Sequence, residues 1–163
     1  MSSVKVNITD RIPEFNADIK MRLRNELRRT GRISSLYLER SIVQKIDSMN
    51  KVDRGDLRKS ITHAVKTLPN GVRCNIGTNL EYAIYVHEGT KPHYPPVQPI
   101  REWVRRKLKP AKEDLNRITY MVIQKIGKKG TDPNPFLKEV FDEKEMKVRT
   151  EFAKAIARVA RSV

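Results

Sequence analysis

The chain is poor in several residues and patterns that mark large protein classes. It has a single cysteine, Cys74, so no internal disulfide can form, and a reducing compartment suits it. Glycine occurs only seven times, and neither GxxxxGK[ST] nor GxGxxG is present, which argues against a phosphate-cradling loop. No run approaches the roughly 18 apolar residues of a membrane span, and the first ten residues lack the apolar segment of a secretory signal. We therefore expect neither a nucleotide-binding loop nor a membrane-embedded segment.

Acidic residues are also scarce relative to basic ones. Among 163 residues there are 34 Lys and Arg against 19 Asp and Glu, a formal net charge of +15. The excess is even along the chain, with +7 in residues 1–81 and +8 in residues 82–163, so it belongs to the folded surface and not to a basic tail. Aromatic residues make up only 6% and do not interleave with the basic runs as a base-stacking surface would need. The charge predicts an anionic partner, either nucleic acid or an acidic protein surface.

The size and apolar content indicate one folded domain spanning residues 1–163. Leu, Ile, Val and Phe account for 42 residues, about a quarter of the chain and above the ~20% below which disorder is expected. A chain of this length is typical of one domain and leaves little room for two.

A long helix is predicted near the start of the chain, because apolar residues recur at intervals of three and four. Its first part contains Ile12, Phe15, Ile19, Leu23 and Leu27. The pattern pauses at Gly31 and resumes with Leu36, Ile42, Val43, Ile46 and Met49. This predicts either two helices in line or one long helix kinked near Gly31.

The hydrophobic period changes after residue 50, which predicts an antiparallel hairpin or small sheet over about residues 57–88. Residues 57–68 alternate, and Asn70-Gly71 is a strong hairpin signal. The return strand alternates through Val72, Cys74 and Ile76 and stops at Gly77. Residues 82–86 form a short apolar run that fits a third strand or one helical turn equally well.

Two loops and three helices are predicted for the rest of the chain, which makes the fold class α+β. The first loop, residues 89–99, is rich in proline, and a helix begins at Pro99 and ends before Pro110. The next helix closes at Gly127, and the second loop, residues 128–135, precedes the last helix. The sequence GTKP at 89–92 recurs as GTDP at 130–133, but four residues are too few to claim a repeat, and common turn chemistry explains them as well.

Candidate catalytic and metal-binding residues are few. His87-Glu88 and His93-Tyr94 are possible acid–base pairs, but neighbours on an extended chain point to opposite faces. Cys74 shares a strand face with Val72 and Ile76, which favours a core position over an activated thiol. The histidines and the cysteine lack the paired close spacing of zinc ligands. We expect no enzyme activity, no metal and no cofactor.

Basic residues on one face of the last helix form the clearest candidate contact for an anionic partner. Lys154, Arg158 and Arg161 follow Lys147 by 7, 11 and 14 residues, a spacing that places all four on one face of a helix. Lys128 and Lys129 cluster at a helix C-terminus, where the helix dipole favours cations.

Three short motifs occur in an order that resembles a known family. They are Val52-Asp53-Arg54-Gly55-Asp56-Leu57-Arg58-Lys59-Ser60-Ile61, then Ile76-Gly77-Thr78-Asn79 followed by Tyr82-Ala83-Ile84-Tyr85-Val86-His87-Glu88-Gly89-Thr90, and finally Pro133-Asn134-Pro135-Phe136-Leu137. Together they resemble the tail-completion or head–tail joining family of tailed bacteriophages over roughly residues 10–145. Two departures are His87, which precedes Glu88 where the family often has its glutamate one place earlier, and an insertion at residues 92–108.

The resemblance implies a structural virion protein without catalysis, in the neck or tail of the phage and assembled in the host cytoplasm. It implies a ring, with six subunits as the expected symmetry, between the head connector or stopper and the tail tube or tail terminator, enclosing the DNA path. Non-specific contact with the genome in the lumen is a further expectation, and no membrane partner is expected.

Proline-stiffened loops and large aromatic side chains commonly form interfaces, since less ordering entropy is lost on binding. We predict a subunit or partner contact through Tyr94, Pro95, Pro96, Trp103 and Phe136. Trp103 could equally belong to the chain's own core. The main alternative function is a basic nucleic-acid-binding protein without sequence specificity, and a third is a ribonuclease-like toxin that uses His87 and Glu88.

Overall fold

The computed structural model describes residues 4–8, 17–49 and 55–162 of the chain. It shows an α+β fold with three strands and six helices in these ranges. In chain order they are β1 (Val4–Ile8), α1 (Ala17–Ser48), α2 (Asp56–Ser60), β2 (Thr62–Leu68), β3 (Gly71–Gly77), α3 (Ala83–Glu88), α4 (Val97–Lys107), α5 (Leu115–Lys129) and α6 (Phe136–Ala160). The predicted fold class is confirmed. Ile12 and Phe15, predicted for the first helix, lie outside the described residues.

The sheet is antiparallel, with strand order β1-β3-β2. The hairpin of β2 and β3 is confirmed, but its turn consists of Pro69 and Asn70, and Leu68 pairs with Gly71. Pro69 favours this turn because its ring sets the φ angle that the first turn residue requires. The strand β1 was missed by the sequence analysis, and it pairs with β3 from Val4 opposite Ile76 to Ile8 opposite Val72.

The predicted extent of the sheet, residues 57–88, is wrong at both ends. Residues 57–60 belong to the short helix α2, where Leu57 is buried, and Ile61, the residue directly after the helix, is buried as well. The Ser60 hydroxyl donates to the Leu57 carbonyl at 2.8 Å and lies 2.6 Å from the Thr78 hydroxyl, which ties α2 to the end of β3. Residues 83–88 form α3, so the short apolar run is helical.

Helix α1 runs without interruption through Gly31, so two separate helices are ruled out. Five of the residues that α1 buries are small, namely Thr30, Gly31, Ser34, Ser35 and Ser41, and of these Gly31, Ser34 and Ser35 lie beside residues of β3. A Cβ at Gly31 would lie 3.1 Å from the Cys74 sulfur and 3.4 Å from a Val65 methyl group. Gly31 therefore allows a close approach of helix and sheet. Leu36, expected on the buried face, is 42% exposed, because the small residues occupy that face instead.

The main core lies where α1 packs on α6 and on the hairpin. Leu23, Leu38 and Ile42 of α1 meet the apolar face of α6, whose buried residues are Phe136, Leu137, Val140, Phe141, Val148, Phe152, Ala155 and Val159. Ile156, beside this stripe, is half-buried and packs against the core. A hydrogen-bonding contact of 2.5 Å between the Glu39 carboxylate and His63 Nδ1 joins α1 to β2 beside this core.

The close approach at Gly31 generates a stability prediction. Gly31→Val would place a branched side chain against Cys74 and Val65, and overpacking of this kind costs about 1–3 kcal/mol. We expect the free energy of unfolding, measured by denaturant titration, to fall by that amount. Arg32→Val, at the exposed neighbouring position, is the control and should change it by less than about 0.5 kcal/mol. Equal stability of the two variants would contradict the close contact.

Candidate assembly surface

The two loops that repeat the Gly-Thr-x-Pro pattern are paired with each other. The Thr90 amide donates to the Thr131 carbonyl at 3.1 Å, and the Thr131 amide donates to the Thr90 carbonyl at 3.2 Å. The two threonine hydroxyls lie 3.1 Å apart. We call residues 89–92 and 130–133, joined in this way, the clasp. The two segments with similar sequence, GTKP and GTDP, are thus in antiparallel contact with each other.

The first glycine of each segment is required by the geometry of the clasp. Gly89 has φ 73° and ψ −173°, and Gly130 has φ 72° and ψ −154°, a conformation that is essentially restricted to glycine. A Cβ at Gly89 would lie 2.3 Å from the Thr131 carbonyl oxygen, and one at Gly130 would lie 1.9 Å from the Thr90 carbonyl oxygen. Each glycine both ends a helix and leaves room for the other segment.

The clasp closes the base of a helical hairpin formed by α4 and α5, residues 97–129, which we call the arm. Helix α4 packs mainly on α5. Val104, Thr119 and Ile123 are buried here, outside the main core cluster. The predicted loop and helix limits need correction: α4 begins at Val97, so the first loop ends at residue 96, and α5 continues through Gly127 to Lys129, so the second loop begins at residue 130.

Gly127 lies inside α5, and the Tyr94 ring packs directly over its backbone. A Cβ at this position would lie 2.4 Å from Cε1 of Tyr94. The neighbouring His93 amide donates to the Ile126 carbonyl at 3.4 Å. The proline-rich loop is therefore held against the arm, while most of the Tyr94 side chain stays exposed.

An open, largely apolar groove of about 1000 Å³ lies between α3, the proline-rich loop and the arm. Its apolar lining includes Tyr82, Tyr85, Pro95, Ile100, Trp103 and Ile126. Three charged residues of both signs also line it, namely Glu88, Lys91 and Asp132. Because it is open, extended and lined mainly by apolar side chains, we treat this groove as the candidate assembly surface.

The five predicted contact residues lie in different environments. Pro95 and Trp103 line the groove, and both are half-buried. Tyr94 and Pro96 are exposed on the same loop. The prediction is wrong for Phe136, which is 0% exposed in the chain's own core, with its ring 5.2 Å from that of His87 in an edge-to-face contact. An apolar residue that opens a helix is as suitable for the core as for an interface, so the motif alone did not separate the two roles.

The candidate catalytic residues are not assembled into a site. His87 packs on Phe136, its Nδ1 atom is buried without a hydrogen-bond partner among the described residues, and no hydrogen bond links it to the exposed Glu88. The His93 Nδ1 atom lies 3.0 Å from the Lys91 carbonyl of its own loop. Within residues 4–8, 17–49 and 55–162, no group of three or more His, Cys, Asp or Glu side chains is placed to hold a metal ion.

Cys74 lies between β3 and α1, as its position on the strand face predicts. Its sulfur is 3.7 Å from the Gly31 carbonyl oxygen, and the residue is half-buried. Burial raises the pKa of the Cys74 thiol. This environment disfavours the thiolate that a nucleophile requires.

The basic residues predicted on the last helix are largely engaged within the chain. The Lys147 ammonium lies 4.2 Å above the Tyr37 ring, Lys154 pairs with Glu151 at 2.9 Å, and Arg158 pairs with Glu26 on α1 at 2.9 Å. Helix α6 carries six basic and five acidic side chains, a net charge of only +1. The remaining predicted residues, Arg161, Lys128 and Lys129, are exposed.

The motif-bearing part of the chain, with α3 and the first clasp glycine, also carries a match to a known family. Residues 7–89 match the family model described as "Bacteriophage HK97-gp10, putative tail-component". The chain belongs to this HK97-gp10-like tail-component family. The match spans half the chain and ends at Gly89, the first residue of the clasp. It confirms the resemblance drawn from the motifs and gives no support to the nucleic-acid-binding alternative.

No curated protein and no solved structure matches the chain. Within the part that the structure describes, no helix is both long and apolar enough to cross a membrane. For this member of the HK97-gp10-like family, the groove and the arm are therefore interpreted from their own geometry.

The clasp generates a second stability prediction. Gly130→Ala would put a methyl group into the Thr90 carbonyl oxygen and impose a strained backbone, so the free energy of unfolding should fall by at least about 2 kcal/mol. Gly71→Ala is the control, because Gly71 opens β3 without a positive φ, and it should cost less than about 1 kcal/mol. Both losses are measured by denaturant titration, and a loss for Gly130→Ala as small as that expected of Gly71→Ala would show that the clasp is unimportant for folding.

The raised pKa of the Cys74 thiol predicts slow alkylation of the folded chain. At about pH 8 the thiolate fraction is smaller than in a free cysteine, so we expect iodoacetamide to react at least about tenfold more slowly with the folded chain than with the chain in concentrated guanidinium chloride. The unfolded chain serves as the internal reference. Equal rates would contradict the buried position.

Proposed function

We propose that this tail-component protein is a subunit of a ring that joins the phage head connector to the tail tube and encloses the DNA path. Six subunits are the symmetry that the resemblance implies. The supporting observation is the open apolar groove beside α3, since contiguous apolar concavities of this size are typical of protein interfaces. The role is structural, within the virion, with assembly in the host cytoplasm and no catalytic step.

A second copy of this chain is the occupant that suits the groove best. Each copy carries +15, so two copies repel each other wherever both surfaces are uniformly basic. The groove avoids this conflict, because Glu88 and Asp132 accompany Lys91 in its lining. Apolar burial can therefore drive self-association here without placing like charges face to face.

Tyr85 and Trp103 occupy different positions in the groove and contribute differently to the proposed contact. Tyr85 stands on the rim, 60% exposed, and offers a large ring at small entropic cost. Trp103 forms part of the wall and is already half-buried within the chain. Tyr85 is thus the sharper probe of the contact, whereas Trp103 reports on both the contact and the stability of the arm.

The assembly contact is tested by truncating Tyr85. Tyr85→Ala should weaken self-association at least about tenfold, as loss of an aromatic interface anchor does. Tyr120→Ala is the matched control, since Tyr120 is 63% exposed but does not line the groove, and it should leave self-association unchanged. The measurement is sedimentation or light scattering over a range of protein concentrations.

Trp103→Ala adds a second variant, with its fold checked by circular dichroism. If folded Trp103→Ala and Tyr85→Ala both assemble like the unaltered chain, the groove is not the subunit contact. If Tyr120→Ala weakens assembly as strongly as Tyr85→Ala, the subunit contact is not specific to the groove and the proposal fails.

A further inference from the structure

The arm carries the largest share of the chain's positive charge. Its 33 residues, 97–129, contain ten basic and three acidic side chains, a net charge of +7 out of +15. Helix α1, of nearly the same length, has eight basic and four acidic side chains and a net charge of +4. Because α6 contributes only +1, the positive field of the described fold is strongest around the arm.

Most of the basic side chains of the arm are not neutralised by the chain itself. Arg117 pairs with Asp114 at 2.9 Å, and Arg106 pairs with Glu102 at 3.5 Å. Among the residues that the structure describes, no ion pair is formed by Arg101, Arg105, Lys109, Lys112, Lys125, Lys128 or Lys129. On α6, by contrast, every basic side chain except Lys147 has a carboxylate partner, and Lys147 contacts a tyrosine ring.

The outer faces of the arm also expose large apolar side chains. On α4 and the residue after it, Val97, Arg101, Arg105 and Leu108 follow at helical spacing, and all four are exposed. On α5, the exposed Tyr120 and Met121 follow Arg117 by three and four residues, and Lys125 follows Met121 by four. Each helix therefore presents positive charge and apolar surface together on its solvent side.

We propose that the arm is a docking surface for an acidic protein partner whose contact face combines carboxylates with apolar side chains. DNA phosphates would complement the charge but would leave Val97, Leu108, Tyr120 and Met121 in water. A second copy of the chain, at +15, would oppose the arm with like charge. An acidic and partly apolar protein face satisfies both features. This surface is separate from the groove and does not depend on self-association.

The clasp makes the arm a preorganised surface. Its paired Thr90 and Thr131 hold both ends of the arm at one place, and Val104 and Ile123 pack the two helices together. Little ordering entropy is then lost when a partner binds, which favours affinity.

The test compares three fluorescent probes on the full chain: a synthetic amphipathic helix with one glutamate face and one leucine face, a polyglutamate peptide, and a DNA duplex of the same net charge. The amphipathic helix should bind at least about tenfold more tightly than polyglutamate or DNA at physiological salt. Its binding should also survive added salt that removes the other two, because only it buries apolar surface.

Charge reversal locates the binding surface. The triple variant Arg101→Glu, Arg105→Glu, Lys125→Glu should lower affinity for the amphipathic helix at least about tenfold. The matched control Arg28→Glu, Arg29→Glu, Arg32→Glu reverses three exposed charges on α1 and should lower it less than about threefold. Leu108→Ser with Met121→Ser keeps every charge, so it should weaken only the amphipathic helix.

Three outcomes would overturn the proposal: tighter binding of DNA than of the amphipathic helix, which would make the arm a nucleic-acid surface; equal losses in both triple variants; or failure of the unaltered chain to bind the amphipathic helix. Tyr85→Ala should bind the amphipathic helix normally, so a failure of the ring proposal is distinguishable from a failure of this one.

Discussion

The reciprocal backbone hydrogen bonds between Thr90 and Thr131 are the constraint on which the outer half of the fold depends. They bring together two segments 41 residues apart in sequence, at the points where α3 and α5 end. This contact holds the arm beside α3, and the groove lies between them. The loop that carries Tyr94 packs against α5 because Gly127 has no side chain to keep the Tyr94 ring away. Two backbone hydrogen bonds thus determine the position of a large surface, and they can form only because Gly89 and Gly130 have no Cβ atom.

Charge and apolar surface are divided between two neighbouring regions. In the groove, carboxylates accompany the single lysine, so the apolar lining dominates its character. On the arm, basic side chains without an ion pair, such as Arg105 and Lys125, accompany the exposed Leu108 and Met121. Like-charge repulsion between copies therefore discourages contacts through the arm and permits them through the groove. One basic chain can in this way keep self-association and attachment to another protein on separate faces.

Periodicity predicted the elements whose burial follows an apolar stripe, and it failed where small residues or backbone conformation decide. The strands of the hairpin and the apolar face of α6 follow directly from alternation and helical spacing. The helical turn at Leu57 and the strand β1 are too short for pattern alone to assign. Gly31 and Gly127 resemble helix breaks but mark close contacts, with Cys74 and Tyr94, that only the folded chain reveals.

The groove could be anticipated in part from Pro95 and Trp103, and the charge of the arm from Lys128 and Lys129, because residue type and position in the sequence identify them. The positions of the unpaired basic side chains could not be anticipated from the sequence. They depend on which carboxylate each basic side chain contacts in the fold, as Arg158 contacts Glu26.

The clasp has one more consequence. The segment that contains the arm begins and ends at residues that contact each other, so the arm is a hairpin inserted between α3 and α6. Lengthening, shortening or exchanging it leaves the ends of α3 and α6 where they are, which gives evolution a position at which attachment specificity can change without rebuilding the core.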